Sequence, residues 1–147
     1  MTADRPSSLA MIMRALASAS VLLSAVVHFQ LWAEGMRSVA VVGPAFLLNA
    51  VGGLVIAVAM LVWPHWLPLL ASVGFGASTL AAFVVSVTVG LFGVHETVSG
   101  VPQTLSAVSE IGAIVFAAAA LVLERPGRWT RRRPDASSRP GAVTGPR

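Results

Sequence analysis

The sequence predicts an all-α transmembrane four-helix bundle, and three observations lead to this fold class. Of the 147 residues, 56% are hydrophobic and only 11% are charged, whereas soluble domains carry roughly a quarter charged residues. Mean hydropathy is +0.81. Four apolar runs stand between short segments rich in turn and polar residues, and each run has about the 20 residues needed to cross a bilayer core.

The first apolar run follows a polar lead at residues 1–10, which contains Pro6 and is predicted to be disordered. Span 1 is predicted at about residues 11–33. A cleaved signal peptide is the alternative, because Arg14 precedes the apolar stretch. The run is long and has no clean small-x-small cleavage site before the polar loop, so a membrane-spanning helix is the favoured interpretation.

Spans 2 and 3 are predicted at about residues 41–63 and 67–94. Pro44 lies in the first turn of span 2, where the missing N–H of proline costs little. Two Trp and two Pro at residues 63–68 indicate a tight turn at the membrane interface. Span 3 is longer than a bilayer requires, which predicts a tilted helix.

Span 4 is predicted at about residues 103–123, and it completes a transmembrane domain of residues 11–125. Glu124 and the Arg-Pro-Gly that follows it end this span. Residues 126–147 are rich in Pro, Gly, Ser and Arg and have no apolar periodicity. They are predicted to form a disordered Arg-rich tail.

All ten basic residues are Arg, and their positions predict the topology. Seven lie from Arg125 onward, Arg5 and Arg14 share that side, and only Arg37 lies in an opposite loop. By the positive-inside rule, both termini are expected in the cytoplasm of a multi-pass protein of the cell membrane. The net charge of +4 is explained by Arg residues on the cytoplasmic side of the membrane, and no nucleic acid partner is predicted.

Small residues are predicted to pack the helices together, since close backbone approach drives helix association in lipid. Each span has a stripe of small or polar residues that is expected to face inward. The stripes are Ala17, Ser20, Ser24 and His28; Ala45, Asn49, Gly53 and Ala57; Gly74, Ser78, Ala82, Ser86 and Gly90; and Glu110, Ala113, Ala117 and Ala120.

His28, Asn49 and Glu110 are predicted to form a polar pocket in the outer half of the bundle. Counted from the span ends they lie at depths of roughly 8, 12 and 10 Å, and His95 and Glu96 are expected at the pocket mouth. Glu110 and His28 are expected to pair, and the inner half has no matching polar layer. An ionisable residue inside a span indicates function; a structural hydrogen-bonded cluster that sets helix register is the alternative.

No catalytic, metal or cofactor site is predicted. The absence of Cys excludes disulfides and thiolate chemistry, and Asp4 and Asp135 both lie in the tails. Histidine and carboxylate groups suit zinc or iron, but no single helix carries them at ligand spacing. Haem held by His28 and His95 is a remaining alternative.

The runs HFQLWAEGMR, VVGPAFLLNAVGG, GLFGVHE and SEIGA resemble a group of small four-span membrane proteins of actinobacteria. The resemblance covers about residues 21–123. It implies a four-span fold and no particular activity. The span count and chain length are also similar to those of DoxX-like proteins, which is an analogy of architecture alone.

The sequence therefore favours a non-enzymatic integral membrane protein, either an accessory subunit or a small-ligand-binding protein. A small oligomeric transporter or proton-linked permease is the first alternative, and a membrane haem or redox subunit is the second. The lipid bilayer is the expected partner; a homo-oligomer and a larger membrane complex both stay open.

Overall fold

The computed structural model describes residues 7–92 and 100–124, and within them the chain forms four long α-helices. All four are long and apolar enough to cross a membrane, which confirms the predicted all-α four-helix architecture. A short 3-10 helix, η1, follows the first of them at Met36–Ser38. The helices are α1 (Ser8–Glu34), α2 (Val42–Val62), α3 (Trp66–Thr88) and α4 (Val101–Glu124).

Three of the sequence predictions fall on residues outside the described ranges. These are most of the N-terminal lead, the two mouth residues His95 and Glu96, and the Arg-rich tail. All three stay predictions.

Consecutive helices run in opposite directions, so the bundle has two distinct ends. The η1 end is where α1 and α3 finish and where α2 and α4 begin. The Arg14 end is where α1 and α3 begin, and it contains the turn between α2 and α3 at residues 63–65. Helix α1 packs mainly against α4 and α2, and α3 packs mainly against α4, whereas α2 and α3 contact each other much less.

The outward faces of the helices are apolar along their length. Leu48, Val62 and Val122 are each 73% exposed, and every helix presents several further large apolar side chains outward. Exposing these apolar side chains to water is unfavourable in free energy, whereas exposing them to the hydrocarbon of a bilayer is not. Together with helix length and hydropathy, these faces indicate a multi-pass integral membrane protein.

Glycines allow the close approaches between helices. A Cβ on Gly76 would lie 2.8 Å from the backbone oxygen of Glu110, so α3 and α4 touch backbone to backbone there. A Cβ on Gly112 would lie 2.7 Å from the Ser20 hydroxyl of α1. The buried core around these contacts is made of Ala17, Val21, Ala57, Met60, Leu69, Ala113, Ala117 and Ala120.

The predicted inward stripe of α3 is wrong in its first half. Gly74 and Ser78 are exposed and the buried positions there are Ser72 and Gly76, whereas Ser86 of the predicted stripe is buried as expected. A strict four-residue spacing advances about 40° around a helix at each step, so such a stripe winds off any single face. The α4 stripe mixes three- and four-residue steps, stays on one face, and is buried throughout.

Helix α3 ends at Thr88, well before the expected end near residue 94. Gly90 adopts a left-handed conformation with φ 84°, and its N–H donates to the Val85 carbonyl at 3.1 Å. A glycine in this conformation closes the C-terminus of a helix because it has no Cβ to clash. Gly90 therefore terminates the helix and is not part of a packing stripe.

Candidate functional site

A cavity of about 270 Å³ lies toward the η1 end, and all four helices contribute to its wall. Helices α2 and α3, which contact each other little, supply more than half of its lining residues. Its surface is mostly apolar. The apolar lining residues are Leu31, Val42, Ala45, Phe46, Ala82, Phe83, Leu91 and Phe92; the polar ones are His28, Asn49, Ser78, Thr79, Ser86, Gln103, Ser106 and Glu110.

His28 is buried in α1 and bonds to its own helix. Its Nδ1 lies 2.8 Å from the Ser24 carbonyl oxygen and 3.4 Å from the Ser24 hydroxyl. A carbonyl oxygen only accepts, so Nδ1 carries the proton, and in the neutral ring Nε2 is then an acceptor. The ring also packs against Phe46 of α2, with centroids 5.1 Å apart.

Glu110 of α4 is fully buried, with 0% exposure. Its Oε1 accepts a hydrogen bond from the Ser106 hydroxyl at 2.8 Å. Its Oε2 is buried and has no hydrogen-bond partner in the described part of the chain. Leaving a buried polar group unsatisfied costs about 1–3 kcal/mol, so this oxygen is the feature of the pocket that most needs an explanation.

Asn49 joins α2 to α3 beside the cavity. Its Oδ1 accepts a hydrogen bond from the Thr79 hydroxyl at 3.2 Å, and the same hydroxyl lies 2.9 Å from the Phe75 carbonyl oxygen. One hydroxyl has a single proton, so it serves one of these two acceptors at a time. Asn49 thus acts as an interhelical contact, as the structural alternative for this residue expects.

The structure places His28, Asn49 and Glu110 on the wall of one cavity, but the expected pairing of Glu110 with His28 is wrong. No hydrogen bond or ion pair joins them, although both lie in the described ranges. Each instead bonds to a serine four residues earlier in its own helix. The Ser-x-x-x-His and Ser-x-x-x-Glu spacings are the sequence signal that points to these local partners.

Ser106, Thr79 and Phe46 contribute to the site without having been predicted. Serine and threonine are common in membrane helices, so sequence alone does not distinguish a lining hydroxyl from a lipid-facing one. Phe46 lies three residues before Asn49 and therefore on the same helical face. This spacing is the sequence signal that places Phe46 beside the pocket. Leu91 and Phe92, which follow α3, are also part of the wall.

The Arg14 end contains a second polar cluster, contrary to the expectation that the inner half has none. Arg14 Nε and Nη2 donate to the two carboxylate oxygens of Glu124 at 2.9 and 2.6 Å. The same guanidinium donates to the backbone carbonyls of Met60 and His65 at 3.2 and 2.9 Å. One side chain thereby ties α1 to α4, to the end of α2 and to the turn after it.

His65 belongs to that turn and serves as the N-cap of α3. Its Nδ1 accepts a hydrogen bond from the Leu67 N–H at 3.2 Å, and its ring stacks on Trp63 with centroids 5.0 Å apart. Trp66 lies on its other side at 5.5 Å. These contacts give His65 a local structural role at one end of the bundle.

Within residues 7–92 and 100–124, no three His, Asp or Glu side chains are grouped closely enough to hold a metal ion. No protein-family model, curated protein or solved structure matches the chain. Its function is therefore inferred from the fold and the cavity. The fold is that of a four-helix integral membrane protein, and the cavity near the η1 end has both apolar and polar lining residues.

Proposed function

We propose that this chain is a non-enzymatic membrane protein that binds a small molecule in the cavity near the η1 end. The observation that carries this proposal is the buried Oε2 of Glu110, an acceptor without a described partner beside a mostly apolar cavity. A structural cluster would satisfy its own polar groups. A binding site retains an acceptor that the ligand satisfies.

The size of the cavity restricts the ligand. Its volume of about 270 Å³ corresponds to roughly nine water molecules at ~30 Å³ each, and it lies near the lower limit of typical ligand pockets. The part of the ligand inside the cavity therefore has about ten non-hydrogen atoms, and the walls favour a largely apolar body. A whole phospholipid does not fit inside this volume.

The chemistry of the lining supports binding over catalysis. The serine nearest to His28 is Ser24, but Nδ1 of that histidine already donates to the Ser24 carbonyl. In that tautomer Nδ1 has no lone pair to accept the Ser24 proton, so His28 does not act on Ser24 as a general base.

A proton-linked permease is the second candidate, and Glu110 is the observation that favours it. A single carboxyl inside a span can exchange a proton for a ligand, which is how many transporters couple the two. Four helices seldom enclose a pathway, so this function requires an oligomer. The haem alternative depends on His95, which lies outside the described residues.

The Arg distribution supports a topology with both termini in the cytoplasm, which places the η1 end and its pocket outside. Reporter fusions at Ser99 and Gly141 test it. A periplasm-active reporter at Ser99 and a cytoplasm-active reporter at Gly141 are expected. The reverse pattern would place the pocket on the cytoplasmic side.

Ala82→Leu tests the binding proposal, with Ala81→Leu as its matched control. Ala82 lines the cavity, whereas its neighbour Ala81 is exposed on the outward face. The probes are propylbenzene, 2-phenylethanol and 2-phenylethylamine, which have the same number of non-hydrogen atoms. At least one probe should raise the melting temperature of the wild type and of Ala81→Leu in detergent, and Ala82→Leu should abolish that rise.

Two outcomes would overturn the binding proposal. One is that none of the three probes stabilises the wild-type protein. The other is that the probes stabilise Ala82→Leu as much as Ala81→Leu, because ligand binding would then occur away from the cavity.

A further inference from the structure

We infer that the ligand of this pocket is a small amine with an apolar body, bound through its ammonium group to Glu110. The inference rests on the proposed function, because it assigns the chemical class of the ligand for the same cavity. Three properties of the pocket carry it: the unsatisfied oxygen, the sign of the charge on the wall, and the aromatic lining.

In the ionised form of Glu110, the unsatisfied oxygen needs a hydrogen-bond donor. Glu110 is fully buried, Ser106 occupies Oε1, and Oε2 has no partner among the described residues. An ionised carboxylate is only an acceptor, whereas an ammonium group offers up to three donors. Hydrogen bonds between two charged groups are also about twice as strong as those between neutral groups.

The charge on the wall favours a cation. Glu110 and His28 are the two ionisable side chains among the described lining residues, which include no Arg. Arg14 is bonded to Glu124 at the opposite end, and Arg37 is exposed on η1 outside the cavity wall. An ionised carboxylate at membrane depth needs a counter-charge. No described lining residue is placed to supply it, so the ligand would be its source.

The rest of the lining suits the same ligand. Phe46, Phe83 and Phe92 place aromatic rings around the cavity, and aromatic faces attract desolvated cations. Nε2 of neutral His28 offers a further acceptor, since Nδ1 carries the proton. An anionic ligand would meet Glu110 without a compensating cation, so carboxylates and phosphates do not fit this wall.

The three isosteric probes separate the features that the pocket recognises. The amine carries a donor and a charge, because an aliphatic amine is protonated at neutral pH as a Lys side chain is. The alcohol carries a donor without charge, and propylbenzene carries neither. Calorimetric titration of the full-length protein in detergent should show the amine binding at least tenfold (about 1.4 kcal/mol) more tightly than the alcohol.

Glu110→Gln identifies the group responsible, and Glu34→Gln is the control. Glu34 accepts a hydrogen bond from the Gln30 amide on the exposed end of α1, and it does not line the cavity. Glu110→Gln should weaken amine binding tenfold or more and leave propylbenzene binding unchanged. Glu34→Gln should leave the binding of all three probes unchanged.

The outcomes distinguish this inference from the proposal on which it rests. Equal affinity for amine and alcohol, with both lost in Ala82→Leu, would overturn the amine inference and leave the binding pocket standing. Failure of all three probes to bind would overturn both. If Glu110→Gln does not fold, the wild-type probe series decides alone, and Phe46→Leu should weaken the amine more than propylbenzene.

Discussion

Helix α4 carries one buried glutamate toward each end of the bundle, and the two differ in how many of their carboxylate oxygens are hydrogen-bonded. Glu124 has hydrogen bonds to both carboxylate oxygens, which come from a single guanidinium. Glu110 has a hydrogen bond to one oxygen, and the other is unsatisfied within the described residues. The fully paired carboxylate joins helices together. The half-paired one lies on a cavity wall.

The largest effect is expected from breaking the Arg14 end. Arg14→Ala leaves the Glu124 side chain, which is 7% exposed, without its partner and removes the donor to three backbone carbonyls. Removing one member of a buried pair typically costs about 3–5 kcal/mol. The free energy of unfolding measured in detergent should therefore fall by about 3 kcal/mol.

Arg37→Ala is the control for this variant, because Arg37 is exposed on η1 and its removal should leave the free energy of unfolding unchanged. Arg14→Lys should fall between the two, since an ammonium keeps the charge but not the planar fork. Equal stability of Arg14→Ala and Arg37→Ala would show that the Arg14 end does not join the helices as described.

A smaller loss is expected from the packing between the two ends. A Cβ on Gly53 would lie 3.0 Å from Ala25 and 3.1 Å from the Phe75 ring, whereas a Cβ on Gly52 would meet nothing within 4 Å. Gly53→Leu should therefore destabilise the bundle by about 1–3 kcal/mol through overpacking. Gly52→Leu is the matched control and should not. Equal melting temperatures for the two variants would mean that Gly53 faces lipid.

The smallest effect is expected at Glu110 itself. Glu110→Gln keeps the shape of the side chain and the acceptor for Ser106, and it removes an ionisable group that has no described counter-charge. Its free energy of unfolding should stay within about 1 kcal/mol of the wild type, since replacing an underpaired buried group is often nearly neutral. A loss as large as that of Arg14→Ala would mean that Glu110 is structural, and would erase the contrast between the two ends.

Several particular features of the fold were predictable from the sequence because they depend on local chemistry. The α4 stripe of Glu110, Ala113, Ala117 and Ala120 has helical periodicity, and it is buried. Two members of the α2 stripe, Gly53 and Ala57, are also buried, but Ala45 is exposed. The α2 and α3 stripes are each only partly buried because a constant four-residue step does not follow the helical period. The end of α3 was predicted too late in the chain, because a glycine can be either a packing residue or a C-terminal cap and the sequence does not distinguish the two.

Side-chain partners were less predictable than helix faces. Depth along a helix placed His28 and Glu110 near one level, but depth says nothing about rotation, and each side chain bonds within its own helix. The Arg14–Glu124 pair joins residues 110 positions apart. Both had been assigned to membrane boundaries, where charged residues are common, so no local pattern singled them out as partners.

The sequence by itself determined the helical class and the four spans, because a bilayer requires about 20 apolar residues with every backbone group bonded inside the segment. That requirement is one-dimensional and can be counted along the chain. Only the tertiary structure decided which carboxylate is paired, since pairing depends on helix rotation and on distances between segments far apart in sequence. The sequence also predicts a polar pocket of His28, Asn49 and Glu110, but its volume of about 270 Å³ and its further lining residues were decided by the tertiary structure, because its walls come from all four helices.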